Sequence, residues 1–416
     1  MKNKIFSVIV TLSLLLSFSA CSNDDNNLSK EAESNVAVLM DNIKNGSNKE
    51  DGYRKEKTNS KDKKNKNKKS QKQSIRLKFF GDIMAHMGQV NHAYYYGGQN
   101  YDFSSQFEYI DDFVKDSDLS FGNFETSINP DLDPSGYPRF TTPVEYIRDI
   151  KNAGFDVLST ANNHSADSGE KGIFDTINYM DNEDMAHAGT RVKDGKRFIY
   201  QNVKGLKLAF LSYTYGINGL EGVIEENKPE DLINFLDPEE IQRDIKKVKE
   251  DGADFVVVYP HWGNEYESYP SQYQITLGRN MVDWGADLVI GNHPHVVQPA
   301  EHYKAKDGRD GYIAYSCGNF VSMQSLEAMG DIRTEHSVAF DIKLTKDNEK
   351  TSIDSVEFYP IWVGHGSDEY GSFAKVYRTV DFLEDGKYYD YVNEYQRDRI
   401  RQADQMVTET INTEVE

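Results

Sequence analysis

Between residues 76 and 330 one event recurs six times: a short apolar run ends, and a cluster of Gly, Asn, His or Asp follows at once. The polar ends are Asp82, Asn123 with Glu125, Asn163 with His164, His261, His293 with His295, and Asn319. The apolar runs are short and rich in β-branched and aromatic residues, as strands are. Helical stretches separate them, which predicts an α/β fold. In open α/β sheets ligands gather beyond the carboxyl ends of strands, so residues remote in sequence are expected to meet at one rim.

The stretch 286–298 shows the event most sharply. Asp287 to Ile290 reads as a buried strand, and Gly291 ends it and lets the backbone turn. His293 and His295 follow with one residue between them. In an extended segment residues i and i+2 point to the same side, so the two imidazoles are expected to face one point. Two histidines in a turn can equally be satisfied structural residues, and it is the other five clusters that tip the balance. Neutral imidazole suits divalent transition metals.

The clusters supply His, Asp, Glu and Asn and no thiolate, which argues against a structural zinc site and against an iron–sulfur cluster. The set suits Mn, Fe or Zn with positions open to water and substrate. A carboxylate with His and Asn on both sides is typical of a two-metal hydrolytic site. One or two divalent ions are expected. With none, Asp82, Glu125 and His164 would serve as general acid and base, for example in an epimerisation.

Along the chain, the strand through Leu77 and Phe79 ends at Gly81-Asp82, with His86 and His92 in the next loop. Helices are expected at 107–115, 143–153, 169–184, 237–251 and 271–284. Asp237, Pro238 and Glu240 read as cap, first helical position and capping-box acid. Strands are expected at 118–121, 155–159, 254–259 and 312–316, with a hairpin 197–203/206–213 turning at Lys204-Gly205. Residues 216–236 read as an insertion or lid loop. The tail shows strands near 337–344 and 352–359 and a helix near 388–401.

Charge divides the chain. Residues 1–75 carry 15 Lys and Arg against 9 Asp and Glu, while the remainder carries 32 against 59, a net −27. Nucleic-acid binding needs basic patches, so it is excluded as the role of the acidic part. Residues 1–20 read as a signal peptide: Lys2 and Lys4, an apolar run, then Ser19-Ala20 before Cys21. The junction resembles a bacterial lipobox, which implies lipidation of Cys21 and anchoring at the extracellular face of the cell membrane. Residues 21–75 read as a disordered basic tether. Cys317 then has no partner and reads as a small buried hydrophobe.

The motif set resembles the metallophosphoesterase (calcineurin-like) superfamily, with its D-x-H, G-D-x-x-D, G-N-H-[DE], lone His and G-H-x-H pattern. It is more closely similar to the CapA/PgsA family of poly-γ-glutamate capsule biosynthesis proteins. The matching motifs are Gly81-Asp82-Ile83-Met84, Gly122-Asn123-Phe124-Glu125, Ala161-Asn162-Asn163-His164, His261-Trp262-Gly263, His293-Pro294-His295 and Gly318-Asn319-Phe320, in family order over roughly residues 76–330. Three motifs depart from the superfamily pattern: Met84 stands where the first has His, Gly122-Asn123-Phe124-Glu125 stands for G-D-x-x-D, and Ser165 stands where the third has an acid after the histidine.

The resemblance implies a metallophosphatase-like αββα sandwich of two mixed β-sheets flanked by helices, over 76–330, with 331–416 completing the same domain. It implies metal ligation by Asp82, Glu125, Asn163, His261, His293 and His295. His164 is the implied general acid, facing the leaving group, and Asn123, Glu265 and Asn319 stand behind the ligands. The implied partners are poly-γ-glutamate polymer and membrane-embedded capsule synthesis components. His86, His92, His187, His302, His336 and His365 read as surface or core residues. The alternatives left by the sequence are a polymer-handling component without turnover, a metal-dependent hydrolase of a γ-glutamyl polymer or phosphoester, and a metal-free acid/base enzyme.

Overall fold

Side chains alternate along β1 (Gln73–Ile83), and that alternation sets the architecture. Ile75, Leu77 and Phe79 enter a core shared with a second sheet, while Phe80 enters a separate core under helices. The computed structural model describes residues 73–348 and 350–416. The expected signal peptide 1–20, Cys21 and the expected tether as far as residue 72 lie outside the described residues. β1 begins at Gln73, inside the stretch expected to be tether.

β2 (Leu119–Phe124), β3 (Val157–Ser159) and β4 (Ala186–Ala188) extend the first sheet from β1, all parallel. The second sheet holds β5 (Phe198–Val203), β6 (Leu206–Thr214), β7 (Phe255–His261), β8 (Leu288–Ile290), β9 (Ala300–Lys304) and β10 (Asp310–Ala314). The chain then returns to the first sheet through β11 (Asn319–Val321), β12 (His336–Asp347), β13 (Lys350–Asp368) and β14 (Gly371–Arg378). Strand orders are β14-β13-β12-β1-β2-β3-β4, with β11 also on β1, and β5-β6-β7-β8-β10-β9. Both sheets are mixed, and they pack face to face through Leu77, Phe79, Phe121, Leu208, Phe210, Val257 and Ile290.

Helices cover both outer faces. α1 (Met87–Tyr96), α2 (Asp111–Lys115), α3 (Glu145–Asn152) and α4 (Gly169–Asn182) pack on the first sheet through Val90, Phe113, Ile147 and Met180. α5 (Pro238–Glu250) and α6 (Gln272–Trp284) pack on the second through Ile241, Ile245, Ile275 and Met281. The layers run α, β, β, α. α7 (Glu394–Ile411) closes one end of the inter-sheet core with Val407 and Ile411. Among the described residues no helix is long and apolar enough to cross a membrane.

The structure differs from sequence expectation at identifiable places. His86 and His92 do not lie in a loop: His86 is the N-cap of α1 and His92 is buried on it, 3.1 Å from Asp368. Only Gln89, Val90, His92 and Ala93 of α1 are buried, too narrow an apolar stripe to announce a helix. Asp237 caps α5 by accepting from the amides of Glu239 and Glu240, and the reciprocal capping box occurs instead at Ser271 and Gln274 on α6. The 216–236 insertion is not an open lid: Ile217, Leu232 and Ile233 are fully buried against Ala166 and Ile173. The tail helix is Glu394–Ile411, later than expected, and strands β4, β9, β11 and β14 lie outside the stretches expected to be strands.

Candidate metal centre

The carboxyl ends of β1, β2 and β3 meet those of β7 and β8 at one rim. On the first sheet Asp82 pairs with Asn123, and Asn123 with Ser159. Asn319 does not hang from a strand exit, as its sequence position suggested; it opens β11, the crossover between sheets, and pairs with Asp82. Gly81 makes this approach feasible, because a Cβ there would lie 1.8 Å from the Gly318 carbonyl oxygen. Gly291 serves the same purpose rather than supplying a special turn. Its Cβ would lie 2.1 Å from the Tyr315 oxygen and 2.4 Å from Trp262 Nε1.

His293 and His295 do share one side, but not because the segment is extended. Their φ angles are +102° and +58°. The +102° at His293 lies outside even the left-handed helical basin, a conformation costing on the order of 1–3 kcal/mol. Hydrogen bonds from the Tyr266 amide to the Pro294 oxygen (2.8 Å) and from the Trp262 amide to the Asn292 oxygen (2.9 Å) hold the loop there. The strained turn brings the imidazoles of His293 and His295 to 6.0 Å, and those of His261 and His293 to 4.8 Å.

The six ligands implied by the sequence lie together, none more than 3% exposed. Three groups each offer three ligand atoms within 4.8 Å of one another: Asp82/Glu125/His295, Glu125/His261/His293 and Glu265/His293/His295. Glu125 belongs to two of them and His293 links the second to the third. Glu265, read as standing behind the ligands, is exposed at the outer edge with its carboxylate in ligand range of both histidines.

Supporting contacts orient the set. Asn123 Nδ2 donates to Asp82 Oδ1 (2.8 Å) and to Glu125 Oε2 (3.4 Å). Asn319 Oδ1 lies 2.9 Å from His295 Nδ1, and its Nδ2 donates to the oxygens of Thr334 (3.0 Å) and Gln324 (3.1 Å). Asn163 Oδ1 is 2.8 Å from His261 Nε2. Its Nδ2 donates to Asn218 Oδ1 (3.3 Å), which fixes which amide atom faces the histidine. Asn218 and Tyr215, whose ring lies 4.6 Å from that of His293, belong to a segment that carries no motif in the sequence.

Electrostatics show a site short of positive charge. Burial, and then the Asp82 carboxylate, raise the Glu125 carboxyl well above the ordinary range. Burial and the neighbouring imidazoles hold His261 and His293 well below theirs, in the neutral form that binds metals. At His295 burial is the largest single influence and acts to lower the value, but Asp82, Glu265 and Asn319 together outweigh it and the net shift is upward. Asp82 Oδ2, Glu125 Oε1 and His293 Nδ1 are buried without a hydrogen-bond partner. Buried polar atoms are almost always satisfied, so two open carboxylate oxygens and an open ring nitrogen converging here fit a divalent cation.

Residues 76–324 match the family model described as bacterial capsule synthesis protein PGA_cap. The capsule biosynthesis protein CapA of Bacillus anthracis is 34% identical over 327 residues, 74% of each chain. The PGA biosynthesis protein CapA of Bacillus subtilis (strain 168) is 36% identical over 269 residues, 62% of this chain and 66% of that one. This chain belongs to the bacterial capsule synthesis protein family. Among solved structures, the calcineurin-like phosphoesterase YfkN from Bacillus subtilis is 13% identical, with a TM-score of 0.42 over 82% of this chain and 100% of that one. The Haemophilus influenzae NAD nucleotidase is 10% identical, with a TM-score of 0.42 over 82% of this chain and 57% of that one. Both likenesses are remote, and membership in the capsule synthesis family rests on the sequence relatives.

In this family member the acid that seemed missing beside His164 is present three residues later, within one turn. Asp167 Oδ2 lies 2.6 Å from His164 Nδ1, buried, so Nδ1 donates and Nε2 is the free nitrogen. The signal was an acid at i+3 within the His164-Ser165-Ala166-Asp167 turn rather than at i+1. His86 does not replace the histidine that Met84 displaces; its Nδ1 accepts from the Met323 amide (3.3 Å). Burial holds the His86 imidazole down at about 4.

Proposed function

We propose that this protein is a lipid-anchored component of poly-γ-glutamate capsule assembly, displayed at the extracellular face of the membrane, whose rim binds one or two divalent ions. Family membership supports the capsule role, and the lipobox-like junction at Cys21 motivates the anchor. The observation that carries the metal reading is the meeting of two three-ligand groups at Glu125, with unsatisfied buried acceptors on both sides. Asp82, Glu125 and His295 would hold one ion; Glu125, His261 and His293, with Asn163 beside them, would hold a second. The nitrogen and oxygen donors suit Mn, Fe or Zn. A bound ion of this kind supplies Lewis-acid charge and makes water more acidic.

The chain's own residues supply the rest. Asp82 and Glu125 bring negative charge that only a cation or a proton can offset at such burial. Asn123, Asn319 and Asn218 orient carboxylate, imidazole and amide in turn. The His164–Asp167 pair favours a reaction over passive binding. A buried carboxylate on Nδ1 sets the tautomer and orientation of the ring and leaves Nε2 placed to exchange a proton with a leaving group. The second reading is therefore a hydrolase that trims a γ-glutamyl polymer or cleaves a phosphoester.

Metal analysis of the purified full chain tests the first point. About one or two equivalents of Mn, Fe or Zn are expected, lost in His293→Ala and in Asp82→Ala with the fold retained. Folded wild-type protein that takes up none of these ions would refute it. Turnover is tested by incubating metal-loaded protein with poly-γ-glutamate and with a phosphodiester. Polymer shortening or ester cleavage that disappears in His164→Ala supports the hydrolase, and an unchanged length distribution with no ester cleavage leaves polymer handling alone.

A further inference from the structure

A polymer of γ-linked glutamate carries a carboxylate on every residue, whereas the chain beyond residue 75 carries 32 Lys and Arg against 59 Asp and Glu. Such a surface repels a polyanion unless a local cation receives it. Nearly every described arginine is already in ion-pair contact with an Asp or Glu. The two without such a contact are Arg191 and Arg139. Arg191 is buried and held by Asn234 Oδ1 and the Glu230 oxygen. Arg139 is exposed.

Arg139 is also fixed in place. Its Nε and Nη2 donate to the Asp167 main-chain oxygen at 2.9 and 2.6 Å. The next residue is fastened to the same place: the Phe140 amide donates to Asp167 Oδ2 (2.7 Å). The Phe140 ring stands edge-on to His164, centroids 4.7 Å apart. Asp167 therefore anchors both the guanidinium and the proposed proton donor.

The five N–H groups of a guanidinium lie in one plane. Engaging the Nε/Nη2 edge leaves the Nη1/Nη2 edge free, and that edge matches two oxygens of a carboxylate or phosphate. A lysine would offer a mobile point charge without that match. The usual entropic penalty of ordering a long side chain is already met by the bonds to Asp167.

Resting on the proposed role of the rim, we propose that Arg139 is the specificity residue for an anionic substrate, gripping one oxyanion through its Nη1/Nη2 edge and holding the adjoining bond beside His164. The oxyanion is a carboxylate of the polymer or a phosphate; the chemistry Arg139 recognises is the same.

Calorimetric titration of the full chain decides it, with tetra-γ-glutamate, the same oligomer with its carboxylates amidated, and inorganic phosphate as ligands. The variants are Arg139→Gln and Arg139→Lys. Arg139→Gln should weaken binding of the tetramer or of phosphate by about 10- to 100-fold, the scale of a charge-assisted pair. Arg139→Lys should recover only part of that. Metal content of the variants should equal that of wild type, and whichever anion shows the effect names the source of the oxyanion. Equal Kd for both anions in wild type and Arg139→Gln, or no measurable binding of either by wild type, overturns the proposal. So does an equal loss of affinity for the amidated oligomer, which would mark a purely structural arginine. Failure of the metal reading would show separately, as wild-type protein devoid of metal, while the affinity comparison still decides the role of Arg139.

Discussion

Two parts of the molecule bury charge, and they do so in opposite ways. Where α7 docks, Glu335 is buried with both carboxylate oxygens taken. Oε1 accepts from the Leu326 amide at 2.7 Å, and Oε2 accepts from Trp362 Nε1 at 2.9 Å and from Arg399. Lys78, earlier on β1, is likewise enclosed, with its ammonium donating to the main-chain oxygens of Phe113 and, at 2.7 Å, Asp116. At the rim, Asp82 Oδ2, at the end of the strand that carries Lys78, and Glu125 Oε1, just after β2, make no hydrogen bond; the nearest ring nitrogens are His295 Nδ1 at 3.4 Å and His261 Nε2 at 3.6 Å. Buried polar groups that serve only the fold are mostly satisfied by the fold. Open buried atoms also occur elsewhere, Arg399 Nε among them, but at the rim two carboxylate oxygens from different strand ends stand open within one ligand group, and there a cation from outside can complete the structure.

That contrast can be broken by substitution. The largest effect is expected in the closed network. Arg399→Ala leaves Glu335 buried without its cation and should lower unfolding free energy by about 3–5 kcal/mol in urea denaturation, with metal content per folded molecule unchanged. A change under about 1 kcal/mol would show that the pair is not structural. Next, Asn319→Ala removes the group that orients His295 and should weaken metal binding by about 10- to 100-fold, measured by competition with a chromophoric chelator. Affinity equal to wild type would remove Asn319 from the site.

Lys78 tests the closed side by pH. Burial pushes its ammonium down to about 8 from an unfolded value of 10.5. The unfolded chain therefore binds more protons between these values, so stability should rise with pH from about 8 to 10, by at most about 1.4 kcal/mol per unit. The rise should vanish in Lys78→Met; parallel pH–stability curves for the two proteins would contradict this. The smallest effect is expected at Glu125→Gln in metal-free protein. The buried carboxyl favours its protonated form, so the amide should change stability by less than about 1 kcal/mol near neutral pH while metal binding is lost. A destabilisation of several kcal/mol would make Glu125 a structural residue and end the distinction drawn here.

Much of the rim was legible in the chain. Asp82, Glu125, Asn163, His261, His293 and His295 each follow an apolar run, and a strand end is a local signal carried by hydrophobic pattern and a neighbouring Gly or Asn. The hairpin turn at Lys204-Gly205 was legible for the same reason: both residues have positive φ, at +45° and +83°. Residues whose roles depend on a partner far along the chain, or on a tight turn, were not. Asp167 reaches His164 only because 162–168 coils, and Asn218 reaches Asn163 only because the insertion packs its apolar residues on α4.

By itself the sequence determined the kinds of chemistry this protein can hold: imidazole, carboxylate and amide donors at strand exits, no thiolate among them, on a strongly acidic chain. Composition and short-range pattern decide these, and folding cannot alter them. Tertiary structure decided which of those groups share a space, which are oriented, and which are left without a partner. Strand order and the crossover through β11 set the distances, and the strained turn at His293 sets the direction of its ring. Those are consequences of packing two sheets against one another, and no stretch of the chain carries them locally.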